Sequence, residues 1–220
     1  MATHLVCNEK LGVRFSPGPP KFSMLNNPKF TRGDGLFENF LAKKRARMAD
    51  KLIPEKLRNG RILDIGCGVY PFFLLNTIFF EKYAVDKSLE SLEGKEIAFD
   101  KINLENQKLP YSDEFFETVT MLASIEHFRR ESLIGIFTEI NRVLKKGGIL
   151  IITTPTLVGN ELLKVLASLN LVSKEEIKEH TGSFSKKDIL NYFKTADFKH
   201  VELKRGLFQF GLNSWFLIKK

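Results

Sequence analysis

Ile62-Leu63-Asp64-Ile65-Gly66-Cys67-Gly68, with Asp86 closing the next apolar run, is the stretch that decides how this chain folds. Arg61 to Gly66 has the length and branched apolar character of a short buried strand ending in a glycine turn. Two glycines at a strand's carboxyl end let the backbone turn sharply and approach a ligand with no Cβ in the way. Lys82-Tyr83-Ala84-Val85-Asp86 reads as a second strand that ends in an acid. In an open α/β sheet, ligands bind beyond such strand ends, where the strand order switches. An acid about twenty residues past the loop is placed to accept hydrogen bonds from ribose hydroxyls. The stretch therefore predicts a nucleoside-binding site.

Two details bear on the ligand class. A dinucleotide fingerprint needs a third glycine at the helix start, and here Pro71 stands in that place. Proline suits a first helical turn but gives no sign of close packing on a pyrophosphate. The second detail is Asp64, just before the loop. A carboxylate there repels a pyrophosphate and suits a cationic amino group.

Outward from this centre, strands and helices alternate, which implies a mostly parallel sheet covered on both faces. Residues 1–33 carry Pro17, Pro19, Pro20 and Pro28 without a sustained period and read as an irregular arm. The domain is expected over 34–220. Leu36, Phe37, Phe40, Leu41, Met48, Leu52 and Ile53 fall near helical spacing, with a break at Pro54. A helix is predicted over Phe72 to Phe80, a third strand near Ile97 to Ile102, and a fourth over Phe116 to Leu122. A helix from about Glu131 to Leu144 is expected to stop at Lys145-Lys146-Gly147-Gly148, ahead of a β-branched strand over Ile149 to Thr153. Leu162, Leu163, Val165, Leu166 and Leu169 mark another helix, and Ser185 to Asp188 a capped helix start. Val201 to Lys204 and Ser214 to Ile218 read as two closing strands, the last antiparallel.

At 220 residues, with 43% hydrophobic and 27% charged positions, the chain suits one globular domain. A net charge of +8 raises the question of an anionic partner. The densest basic cluster, Lys43-Lys44-Arg45-Arg47, lies on the first helix and reads as a solvated face. Cys7 and Cys67 cannot build a disulfide framework or a zinc site, and no metal is expected. The N-terminus lacks the apolar core of a secretory signal and no apolar run is long enough to span a bilayer, so the cytoplasm is the expected location.

Leu63 to Gly68 resembles the signature loop of class I S-adenosylmethionine-dependent methyltransferases, especially the broad small-molecule group. The likeness continues through Asn103-Leu104, Leu109-Pro110-Tyr111, Phe115 to Val119, Ile125-Glu126-His127, Glu139 to Gly148 and Thr153-Thr154-Pro155. It implies a Rossmann-like α/β domain with a mostly parallel seven-stranded sheet, an antiparallel last strand and helices on both faces. By the same resemblance Asp64, Gly66, Cys67 and Gly68 hold the methionine end of S-adenosylmethionine, and Asp86 takes the ribose. Lys87 flanks the adenine, Asn103 and the Leu104 amide read its edge, and Ala123 to His127 close the methionine side. The family often has Asp where Asn103 stands and usually Asp where Glu117 stands.

Other readings of the same residues stay open. Asp86 ahead of Lys87-Ser88 also fits a helix N-cap, and Asn103 also fits a turn. Methyl transfer itself asks mainly for an acceptor held in line, since the cofactor carries the activated group. If the acceptor is a hydroxyl, a general base helps; His127 and His180 are candidates, with Tyr70 and Glu126 behind them. The acceptor is expected to be a small molecule, roofed by the segment before Arg61 and by an insertion over 155–186. The insertion loosely resembles one in methyltransferases of sugar, lipid or cell-surface glycan precursors. Nucleic acid is a less favoured partner, because Ala123-Ser124-Ile125-Glu126 lacks the tetrad typical of base-amine methylation. A non-catalytic protein of the same fold, or a nicotinamide dehydrogenase, is disfavoured by Asp64 and Asp86 together.

Overall fold

The computed structural model describes residues 38–88, 96–169, 171–172, 182–198 and 202–220. The expected arm over 1–33, and Leu36, Phe37 and His180, lie outside the described residues. The chain opens with helix α1 (Glu38–Leu52) and a 3-10 turn (Glu55–Leu57) after Pro54. Then come β1 (Arg61–Ile65), α2 (Phe72–Leu75), β2 (Glu81–Asp86), β3 (Ala98–Lys101) and β4 (Phe116–Leu122). A 3-10 turn (Ile125–His127) leads to α3 (Leu133–Val143), β5 (Leu144–Pro155) and α4 (Leu157–Ser168). Helix α5 (Lys186–Thr195) and the hairpin β6 (Glu202–Phe208) and β7 (Asn213–Lys219) complete the order.

The seven strands form one sheet in the order β3-β2-β1-β4-β5-β7-β6. β1 runs parallel to both β2 and β4, and β7 runs antiparallel to β5 and β6. This is the Rossmann-like sheet that the sequence predicts. Strand order reverses at β1, so its carboxyl end opens into the crevice between β2 and β4.

Alternation along the strands divides the core. Leu63, Ile65, Met121, Leu150 and Ile152 face α3 and α5, which contribute Leu133, Phe137, Ile140, Ile189 and Phe193. Ile62, Ala84, Ile149 and Ile151 face the other way, onto Ala46 and Ala49 of α1 and Phe73 and Leu74 of α2. Each large apolar side chain buried this way contributes about 1.5–3 kcal/mol. Helix α1 docks through alanines, with Phe40 left exposed, so its close approach brings its neighbouring polar residues over the sheet edge.

Three expectations need correction. The helix predicted over Phe72 to Phe80 is a single turn, because the Asn76 amide donates to the Phe72 carbonyl and ends it. Lys145 to Gly148 do follow the end of α3, but they belong to β5 and form a bulge opposite Glu117. Gly147 takes a φ of 76°, and Lys145 pairs with Glu117. The basic cluster on α1 is not uniformly solvated, since Arg45 turns into the cavity described below. In contrast, the Ser185–Asp188 start is a complete capping box.

Candidate functional site

The carboxyl ends of β1, β2 and β4 meet over a cavity of roughly 270 Å³. That size is near the low end of small-molecule sites. Asp64, Gly66, Cys67, Gly68, Asp86, Lys87, Asn103, Leu104, Ala123 and His127 all line it. Residues proposed from four separate sequence segments therefore come together in one crevice.

Hydrogen bonds stitch the strand ends together. The Thr120 hydroxyl of β4 donates to Asp64 Oδ1 at 2.7 Å, and Ser124 Oγ donates to the Ile65 carbonyl at 2.9 Å. The Ala123 amide donates to the Thr153 carbonyl at 2.9 Å, joining β4 to β5. Gly66 has a φ of 73°, and a Cβ placed on it collides with the Ser124 side chain. Gly68 has a φ of 71° with open space where its Cβ would stand. One glycine is thus required by packing and both by conformation. Ala123 has a φ of 52°, an uncommon conformation for a residue with a side chain, at the point where the chain leaves β4.

The loop and the second acid are one unit. Asp86 Oδ2 accepts from the Gly68 amide at 2.9 Å, and Oδ1 from the Ser88 amide at 2.7 Å. The strand-end carboxylate thus has a fixed plane, closed into a turn by the Ser88 amide, and the residues of a capped helix, 89–95, lie outside the described ones. Asn103 takes the turn reading and also faces the cavity. Its side-chain oxygen accepts from the Glu105 amide at 3.1 Å, as in a turn, while the residue lines the cavity.

The cavity is rich in buried acid. Asp64 is buried, and burial pushes its carboxyl up to about 7; the Thr120 hydrogen bond pulls the other way, and Asp86 adds to the rise. Glu126, 1% exposed, is also pushed up to about 7 by burial, against the pull of its own backbone, Arg45 and Thr154. Burial also pushes the Cys67 thiol up, so it remains an unreactive small residue. A site with two acids held near neutrality favours a cationic ligand, which restores their charge. Among the described residues no group of three or more His, Cys, Asp or Glu is placed to hold a metal ion.

The segments expected to roof the site, before Arg61 and over 155–186, supply further lining residues, and the β6–β7 turn supplies others that the sequence reading missed. Leu41, Ala42, Arg45 and Ala46 share one face of α1 and roof the site. That spacing, with one charge among small residues, was an available signal. Ser124, within the expected Ala123 to His127 segment, supports Gly66 from beneath. Gly159, Leu162, Leu163 and Leu166 of α4 form another wall, joined by Gln209 and Leu212 from the β6–β7 turn and by Asn213 at the start of β7. The turn reaches the cavity only because β7 pairs beside β5, a long-range fact that local sequence does not carry.

A family model described as a methyltransferase domain matches residues 36–203. Among curated proteins, no sequence match was found. A crystal structure of a SAM-dependent methyltransferase from Archaeoglobus fulgidus is similar, with a TM-score of 0.60 and 15% identity over 84% of this chain and 97% of that one. A Pyrococcus horikoshii protein gives a TM-score of 0.60 at 22% identity, over 88% of this chain and 96% of that one. A Thermotoga maritima SAM-dependent methyltransferase, described as a possible histamine N-methyltransferase, gives 0.57 at 22% identity, over 84% and 91%. At these identities the structural likenesses show the fold.

Proposed function

The chain belongs to the class I S-adenosylmethionine-dependent methyltransferases, and on that premise we propose that its crevice transfers a methyl group to oxygen or nitrogen of a small molecule. The observation that carries this reading is the convergence of the ten predicted donor-site residues on one cavity. S-Adenosylmethionine, the methyl donor of this group, supplies a methyl already activated by the sulfonium.

The residues present fit that donor. The Gly66–Gly68 loop leaves a cradle above Gly68, and the nearby Asp64 suits a cationic amino group. Asp86, its plane fixed by two amides, is suited to a ribose diol. Lys87, Asn103 and Leu104 lie on the side assigned to adenine, and Ala123 and His127 close the methionine side. The segment 155–186, whose α4 walls the cavity, takes the acceptor side together with the β6–β7 turn. Apolar Leu163 and Leu166 beside polar Gln209 and Asn213 suit an acceptor with both characters, such as a sugar-, lipid- or glycan-precursor. For a hydroxyl acceptor, His127 or Glu126 is the base at hand, and a carboxyl near 7 matches that task.

Calorimetry with S-adenosylhomocysteine tests the donor half. Tight one-to-one binding is expected, weakened in Asp86→Ala by about 1.5–3 kcal/mol, the scale of hydrogen bonds to a charged group. Unchanged affinity in a folded Asp86→Ala chain removes Asp86 from the site. Metabolite extracts incubated with methyl-labelled donor test the acceptor half: label in a small product supports the reading, and label only in RNA overturns it.

A further inference from the structure

We infer that Glu105 and Arg129 are positioning residues for the donor: the bond between them sets where the turn that faces the nucleoside stands. The inference rests on the donor reading above, and its test separates the two.

Strands β3, β2, β1 and β4 are neighbours in that order and run parallel. The loops leaving β3 and β4 at their carboxyl ends therefore flank the ends of β2 and β1, where Asp86 and the glycine loop stand. Glu105 lies in the first loop and Arg129 in the second, 24 residues apart. Glu105 Oε1 accepts from the Arg129 amide at 2.8 Å and from Arg129 Nε at 3.3 Å. One carboxylate oxygen thus joins two strand-end loops into a continuous rim.

Each loop is closed on its own side of this joint. The Asn103 amide donates to Gln107 Oε1 at 2.8 Å, and the Asn103 carbonyl accepts from the Asn106 and Gln107 amides at 3.2 and 3.0 Å. The Ile102 amide donates to the Asp86 carbonyl at 3.2 Å, which ties the same loop to β2. In the second loop the Arg129 carbonyl accepts from the Ser132 amide at 3.0 Å, at the entrance to α3. Arg130 donates to the Ser183 carbonyl at 3.1 Å, and its guanidinium lies 4.7 Å from the centre of the Phe184 ring. Two bodies that are each closed in this way take their mutual register from the bond across the gap.

The energetics favour placement over stability. The Arg129 side chain is 61% exposed and that of Glu105 20%, and a pair with so exposed a partner contributes little to folding. Yet Asn103, Leu104 and Glu105 face the cavity, as do His127 and Phe128 beside Arg129. A rim displaced by a fraction of an ångström costs the core little, whereas hydrogen bonds to a base edge weaken steeply with distance and angle. Glu105 supports both bonds of the joint. The Arg129 side chain supplies only one of them, since the other comes from the backbone.

Calorimetry on the full-length chain with S-adenosylhomocysteine and with S-inosylhomocysteine, whose base edge carries a different donor and acceptor pattern, tests the inference. Wild type is expected to prefer the adenosine ligand. Arg129→Ala should weaken that ligand by about two- to fivefold, and Glu105→Ala by about tenfold or more. Both should narrow the preference over the inosine ligand, and Arg129→Lys should recover most of it. Urea midpoints measured in parallel report the fold, and Arg129→Ala, a change at an exposed side chain, keeps the test open if Glu105→Ala unfolds. Wild type that binds S-adenosylhomocysteine no better than folded Arg129→Ala and Glu105→Ala overturns the inference and leaves the donor reading standing. An equal loss for both ligands makes the pair a general tie and also overturns it. Failure of wild type to bind either ligand overturns the donor reading and this inference with it.

Discussion

Asp64 illustrates how one buried carboxyl prepares a site for positive charge. With its acid form favoured up to about pH 7, cation binding beside it must release a proton. Affinity for S-adenosylhomocysteine should therefore climb as pH rises toward 7 and level off above it. Asp64→Asn should flatten that rise, whereas Asp64-independent binding would leave the slope in place. Calorimetry in buffers of different ionisation enthalpy reads the proton directly. Gly66 makes a simpler case. Gly66→Ala combines a collision with Ser124 and a left-handed φ, and about 1–3 kcal/mol of stability should be lost in denaturant titration. Both residues were legible as part of a strand-loop signature. The Thr120 and Ser124 hydroxyls that hold them in place were not, because hydrogen bonds between β1 and β4 have no local trace.

Among the elements, the predictions that held are those carried by local chemistry. The Ser185–Asp188 capping box sets the start of α5, with reciprocal bonds of 2.8 and 3.2 Å. Ser185→Ala should cost about 0.5–2 kcal/mol, read as a shift in the urea midpoint at constant slope. α2 and β5 show where local reading gives out. Apolar residues from Phe72 to Phe80 continue a helical pattern, but one side-chain amide from Asn76 closes the turn early. Lys145 to Gly148 have the chemistry of a helix stop, and α3 does end there. Only the partner strand, with Glu117 opposite, turns the same residues into a bulge. Gly148→Val should expose that dependence. Its Cβ would press on the Lys145 and Glu117 carbonyls, and a fall in melting temperature greater than for an exposed strand substitution is expected.

For the whole molecule, the two raised acids tie stability to pH. Asp64 and Glu126 titrate near 7 when folded, against ordinary values of 3.8 and 4.5. Between about pH 4 and 7 the folded chain holds more protons than the unfolded one. Their contribution is thus complete below that window and is lost as pH rises through 7. Ligand-free chain should melt lower at pH 7.5 than at pH 5.5, with a smaller difference in Asp64→Asn/Glu126→Gln. An equal pH response in the double variant would locate the effect elsewhere. The fold class and the residues gathered along the strand ends were readable because parallel strand ends and their loops carry short-range signals. The opposite wall was legible only in part: the insertion over 155–186 was expected beside the site, whereas the 209–212 turn meets α4 only through the pairing of β7 with β5.

That pairing divides the labour of the sheet. Residues assigned to the donor follow β1, β2, β3 and β4, while the opposite wall hangs from β5 and the closing hairpin. The two halves meet at a seam, with separate foundations on either side. On the proposed division, exchanging what hangs from the hairpin side would change which molecule is modified and leave the donor's foundation intact.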